Sequence, residues 1–193
     1  GFLPGIRLVS KTIEPCAACA MIKAKKIPPP PPTEATKLRR YGGTEPFSRI
    51  VSDVKGPISY RSNRTGKVQS VRDLTSGYLY YISFTCLSTG VSRVYGMRTY
   101  DEIVPLTKRF LKRATGSGFN PSMLRSDNFS SYTSEAMKKL LEQFGMTQEL
   151  SLPYCAFMNG TAERLNQTIW KSAMAMLYHA RLEPSFWYLA VDY

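Results

Sequence analysis

Histidine is nearly missing from this sequence: among 193 residues there is one, His179. Cysteine is scarce too. Of Cys16, Cys19, Cys86 and Cys155 only the first two stand close together, which excludes a disulfide framework. No apolar run reaches the ~20 residues that cross a bilayer. The opening GFLPGIRLVSK lacks the basic lead and sustained apolar stretch of a signal peptide. A reducing, intracellular setting with no membrane partner is the expectation. Acid is the other shortage: 14 Asp and Glu face 26 Lys and Arg, for a net charge of +12 and a pI near 9.7. Such a surface gathers polyanions and gains affinity by releasing their counterions, so nucleic acid is the first partner to consider.

What is present reads in two parts. Residues 1–45 are irregular, with a CxxC at 16–19, KAKK, five consecutive prolines from Pro28 to Pro32, and KLRRYGG. The prolines can continue neither a helix nor an inner strand and make a stiff spacer. The segmentation is 1–27, a partial zinc-binding-like piece; 28–45, a proline-rich basic linker; and 46–193, a folded core. With 43% hydrophobic and 12% aromatic residues, the chain has the material for that core.

Within the core, SRIVSDV, GYLYYISFTC and GVSRVYGMR read as strands, the last two joined through LST as a hairpin, with a short accessory strand at VQSVRDL. DEIVPLTKRFLKRA has helical spacing with Pro105 in its first turn. PSMLRSD then reads as a strand, SEAMKKLLEQFG as a helix closed by Gly145, and MTQELSL as a strand. A final helix carries the apolar stripe Ala162, Leu165, Ile169, Ala173, Met176, Leu177 and Ala180, with Glu163 in its first turn beside the stripe. Gln167, Trp170 and Met174 lie roughly on the Glu163 face. Three meandering strands extended by two crossover units, in a mixed α/β sheet flanked by helices, fit this order.

Carboxylates at element ends stand out in so basic a chain: Asp53 in the first strand, Asp127 after the fourth, and Glu163 at the last helix. If the sheet sets those strands side by side, three oxygen ligands suit Mg²⁺ or Mn²⁺, and two such ions suit phosphodiester chemistry. Each carboxylate also has a plain structural explanation. Asp127-Asn128 suits a turn or cap, Glu163 a helix-dipole partner, and Asp53 a strand-edge residue.

The blocks RIVSDVKGP, LRSDN, SLPY, NGTAERLNQTI and AMAMLYHARLEPSFWYLAV, with 35 residues between Asp127 and Glu163, resemble the integrase catalytic core of copia-type retrotransposon polyproteins, within the retroviral integrase superfamily. The resemblance spans about residues 16–193. It implies a ribonuclease H-like fold with Asp53, Asp127 and Glu163 as catalytic residues and ligands of two Mg²⁺ or Mn²⁺ ions, and Asn159-Gly160 as the turn delivering the glutamate helix. It further implies DNA integration, the joining of retroelement cDNA 3′ ends to target DNA, by a homo-oligomer acting in the nucleus after residence in a cytoplasmic virus-like particle. Two other readings stay open: a metal-dependent nuclease of the same fold, and a non-catalytic DNA-binding or assembly module of a decayed element.

Three departures from the family pattern stand out: Phe129 where glycine is usual, Cys155-Ala156-Phe157-Met158 where a glutamine-rich turn is usual, and Thr85-Cys86, after the second strand, where acidic residues are frequent. Cys16 and Cys19 resemble half of the zinc-binding segment that precedes such cores. Zn²⁺ needs four ligands, so either the chain is cut from a longer polyprotein, as its abrupt ends suggest, or that site is lost. His179 is expected in a surface or packing role.

Arg61, Arg64 and Lys67, in a loop soon after Asp53, are candidates for phosphate contact, as are Asn159, Arg164 and Lys171 around the glutamate. Lys108, Arg109, Lys112, Arg113, Lys138 and Lys139 read as solvated helix faces. Tyr78, Tyr80 and Tyr81 read as strand-face residues.

Overall fold

The computed structural model describes residues 45–61, 68–151 and 156–193. Cys16, Cys19, the proline-rich linker up to residue 44, Arg64, Lys67 and Cys155 lie outside them, as do the side chains of Arg61, of residues 156–159 and of Thr161.

Seven strands are present among the described residues. β1 (Arg49–Lys55), β4 (Tyr80–Cys86), β5 (Ser92–Met97), β6 (Met123–Ser126) and β7 (Thr147–Leu150) form one sheet in the order β5-β4-β1-β6-β7. The β1–β4 and β4–β5 pairs are antiparallel, and the β1–β6 and β6–β7 pairs are parallel. The expected mixed sheet of three meandering strands and two crossovers is therefore present, consistent with a ribonuclease H-like fold. β2 (Ser59–Arg61) and β3 (Val68–Ser70) make a separate ribbon, the accessory strand having found its partner just after β1.

Among the described residues five α-helices cover the sheet: α1 (Ile103–Gly116), α2 (Ser130–Thr133), α3 (Glu135–Gln143), α4 (Ala156–His179) and α5 (Trp187–Asp192). Pro105 stands in the first turn of α1, where its missing N–H breaks no helical bond. Ser134 caps α3, its hydroxyl accepting from the Met137 N–H at 3.2 Å. Gly145 closes α3 at a φ of 63°. The four-residue α2 escaped the periodicity because it is little more than one turn.

Strand alternation sorts the core onto two faces. Ile50, Ile82, Phe84 and Leu124 pack against Ile103, Phe110 and Leu111 of α1 and Met137, Leu140 and Leu141 of α3. On the other face Tyr81 packs with Ala173 and Leu177 of α4 and with Trp187 and Val191 of α5. Val51, Leu87 and Ala162 form a small third cluster beside Asp53. The end of the α4 stripe reaches past the core, leaving Met176 and Ala180 exposed.

Ser52 points away from α4, and its hydroxyl meets that of Tyr132 on α2 at 2.6 Å, both side chains being buried. Tyr132→Phe would leave the Ser52 hydroxyl without this partner and is expected to cost about 1–3 kcal/mol. Urea unfolding of the two proteins measures it, and equal midpoints would show that the pair contributes nothing net.

Candidate metal and nucleic-acid site

Asp53 is the fifth residue of β1 and shares with Val51 the face turned toward α4. β6 lies beside β1 in parallel, pairing Arg49–Val51 with Met123–Arg125. Continuing that register by two residues sets Asp127, just beyond the end of β6, opposite Asp53. Adjacent strands stand about 4.8 Å apart, so topology alone makes neighbours of two carboxylates 74 positions apart.

Each aspartate is held by local backbone. The Val54 N–H donates to Asp53 Oδ1 at 3.0 Å, and the Phe129 N–H to Asp127 Oδ1 at 3.1 Å. Asn128 turns away and donates from Nδ2 to the Ser151 carbonyl at 2.8 Å. That bond ties the loop after β6 to the end of β7.

The third expected carboxylate is placed differently from the expectation. Glu163 does not open its helix: α4 begins at Ala156, so Glu163 is its eighth residue, and Asn159-Gly160 lie within the helix rather than in a turn before it. The Asn-Gly pair is a strong turn signal on local propensity, but here helix runs through it. A dipole role for Glu163 also weakens, since that effect fades beyond the first turn. Glu163 and Arg164 are exposed, as are Lys171 and, at the last residue of α4, His179.

The link between α4 and β1 is Asn166, which the sequence reading passed over. Its Nδ2 donates to Asp53 Oδ2 at 2.7 Å. The residue is 3% exposed, and its Oδ1 has no hydrogen-bond partner. Buried amide oxygens are seldom left unpaired, so this one marks a polar position under strain or awaiting a ligand. The signal was available: Asn166 is a carboxamide at the edge of an apolar stripe, one turn beyond Glu163.

Electrostatics joins the three acids. Burial pushes the Asp53 carboxyl above its ordinary pKa; the Asn166 amide opposes this, the charge of Asp127 adds to it, the Val54 N–H opposes it, and the charge of Glu163 adds again. Asp53 therefore lies within the field of both other acids, each on a different element. Tyr132 beneath the site is likewise raised, by burial first, against the Ser52 hydrogen bond and with Asp127 and Asp53 adding.

A divalent cation suits this set in character. The side chains are oxygen donors fit for hard ions, and their mutual repulsion is what a cation would relieve. As placed, however, no three His, Cys, Asp or Glu side chains among the described residues stand close enough to hold one ion together.

Two departures from the family pattern also find places. Phe129 is 38% exposed and leans on Tyr100, ring centroids 4.5 Å apart, while Tyr100 packs on Tyr80 at 4.7 Å. Thr85 and Cys86 are buried, with Cys86 paired to Ile50, toward the end of β1 away from Asp53. Of the tyrosines expected on strand faces, Tyr80 and Tyr81 lie in β4, and Tyr78 precedes it.

No family model matches the chain. Among curated proteins it is similar to the retrovirus-related Pol polyprotein from transposon TNT 1-94 of Nicotiana tabacum, 29% identical over 184 residues, covering 94% of this chain and 12% of that protein. It is also similar to the transposon Ty1-DR4 Gag-Pol polyprotein of Saccharomyces cerevisiae, 27% identical over 164 residues, covering 83% of this chain and 9% of the relative. The TyH3 Gag-Pol polyprotein matches to the same extent. The chain thus spans only about a tenth of the length of the curated relatives it matches. The homologues of this chain are copia/Ty1-type retrotransposon Gag-Pol polyproteins.

Proposed function

We propose that residues 46–193 are the catalytic core of a retroelement integrase, which joins cDNA 3′ ends to target DNA. The observation that carries this reading is the placing of Asp53 opposite Asp127 and within the field of Glu163. The net charge of +12 supports a polyanionic substrate.

In the reaction, a 3′ hydroxyl attacks a target phosphodiester; a new P–O bond forms, the old one breaks, and the leaving strand departs with its own 3′ hydroxyl. Two bound divalent ions would activate the attacking oxygen and stabilise the leaving one. Asp53, Asp127 and Glu163 would hold those ions. The chain's own part is positioning: the Val54 and Phe129 amides fix one oxygen of each aspartate, and Asn166 holds the other oxygen of Asp53. Exposed Arg164 and Lys171 lie on α4 beyond the carboxylates, where they would hold phosphates as point contacts. Arg61, Arg64, Lys67 and Asn159 are proposed in the same role, and Cys16 and Cys19 as two of four zinc ligands.

A strand-transfer assay with a donor duplex and a plasmid target is the test. Joined product in Mg²⁺ or Mn²⁺ supports the integrase; cleavage without joining would assign the nuclease reading instead. Binding without either reaction would leave the assembly module.

A further inference from the structure

Beside Asp53 lies an open groove of about 370 Å³, with residues 54–59 along one side and Trp170 of α4 on the other. We propose that this groove is a subsite for one unpaired nucleotide flanking the reacting phosphate, with its base stacked on the Trp170 indole and its phosphate on Lys55. The proposal rests on reading Asp53, Asp127 and Glu163 as the reacting centre.

The groove is continuous with that centre. Val54 lines it and also donates its N–H to Asp53 Oδ1. Trp170 lies one helical turn beyond Asn166, whose amide holds the other oxygen of Asp53, so both residues face the same way. Along the axis Trp170 is seven residues from Glu163, about 10 Å at ~1.5 Å per residue. An extended single strand crosses that distance in one or two nucleotides.

Its chemistry is that of a nucleotide site. Trp170 is half-buried and rests on fully buried Trp187, ring centroids 6.5 Å apart, so the indole sits on a rigid support. Lys55 is the last residue of β1 and has no carboxylate partner among the described residues. Gly56 lies in the same lining. Gly56 has a φ of 139°, and a Cβ there would stand 2.6 Å from the Tyr80 ring and 2.8 Å from the Leu79 carbonyl. A side chain there is excluded by β4, which holds this stretch of backbone close against the sheet. The volume is in the range of small-ligand sites, and an aromatic face beside a cation is how single strands are held without sequence preference. A duplex would not present a free base to the indole.

The unpaired nucleotide could belong to a cDNA end or to an opened target, and the experiment separates them. Tryptophan fluorescence of residues 1–193 is titrated with a blunt duplex, a duplex with a two-nucleotide overhang, and a duplex with an internal two-nucleotide gap. Trp187 is 0% exposed, so stacking is read through Trp170. Quenching with the overhang assigns the cDNA end, quenching with the gap assigns the target, and either supports the subsite. Trp170→Phe, which keeps an aromatic ring on Trp187, should abolish the quenching with little loss of affinity. Trp170→Ala should weaken binding of the quenching DNA about tenfold without affecting the blunt duplex. Lys55→Ala should flatten the salt dependence of binding by roughly 0.7 in log–log slope.

No quenching by either unpaired substrate, or equal effects of these variants on all three DNAs, would overturn the proposal. The Asp53→Asn protein keeps the two readings apart. Full strand transfer by that variant would sink the metal-centre reading, whereas loss of transfer without Trp170 quenching would sink the subsite alone.

Discussion

Asp53→Asn is expected to abolish strand transfer and, without divalent metal, to make the protein more stable. The loss should be on the order of 10³-fold or more, because the variant removes charge from the position that would hold both metal and reacting oxygens. The gain follows from the carboxylate's surroundings: burial disfavours its charge, and Asp127 and Glu163 add repulsion. Its pKa in the folded protein is therefore raised above the unfolded value. The folded state binds that proton more tightly, so the penalty is absent below the ordinary carboxylate range. It grows as pH rises and is complete above the raised pKa. Melting curves at about pH 3 and pH 7 should show the asparagine variant gaining only at the higher pH. The asparagine has a single acceptor oxygen, so it can keep the bond from Asn166 only by giving up the one from the Val54 N–H, which trims the gain. Adding Mg²⁺ should reverse the order, since an ion at a hundred times its Kd stabilises the wild-type protein by about 2.7 kcal/mol. A variant that melts lower than wild type at pH 7 without metal would refute the electrostatic account.

Trp187→Ala should have the largest effect on stability, about 3–5 kcal/mol. Trp187 is fully buried, its Nε1–H donates to the Val71 carbonyl at 3.2 Å, and its rings touch Tyr81, Trp170 and Tyr188. It therefore joins α5, α4, β4 and the segment after β3. At roughly 2–4 °C per kcal/mol for a domain of this size, the melting temperature should fall by about 6–20 °C. Because the same cluster seats α4 on the sheet, Asp53 should also lose the Asn166 contact. An unchanged Asn166 amide resonance in the variant would show that α4 is held elsewhere.

Asp53 and Asp127 were legible in the sequence because each sits at the end of a strand whose apolar pattern is clear, and parallel pairing does the rest. Ile103, Phe110 and Leu111 announced their burial by helical spacing in the same way. Glu163 was found through family spacing, but the start of its helix was misplaced. Asn-Gly is a turn signal on local propensity, and local propensity yields where a long helix continues. Asn166 was missed for a different reason. Polar residues at helix positions are ordinarily solvent-facing, and only the pairing of α4 with β1 turns this one inward. The Trp170 groove was also beyond reach, since it depends on β1 and α4 lying side by side.

The Asn166–Asp53 hydrogen bond gives α4 a fulcrum. Glu163 stands three residues from it, about 4.5 Å along the axis at ~1.5 Å per residue, while the rest of the helix extends some 20 Å the other way to His179. A tilt of about 20° around that point would carry Glu163 roughly 1.5 Å, on the scale by which carboxylates adjust to enclose an ion at ~2.1 Å. The long arm is clamped by Ala173, Leu177 and the Trp187 cluster. Leverage on the glutamate thus lies with whatever presses on the short arm, the stretch from Ala156 to Ala162.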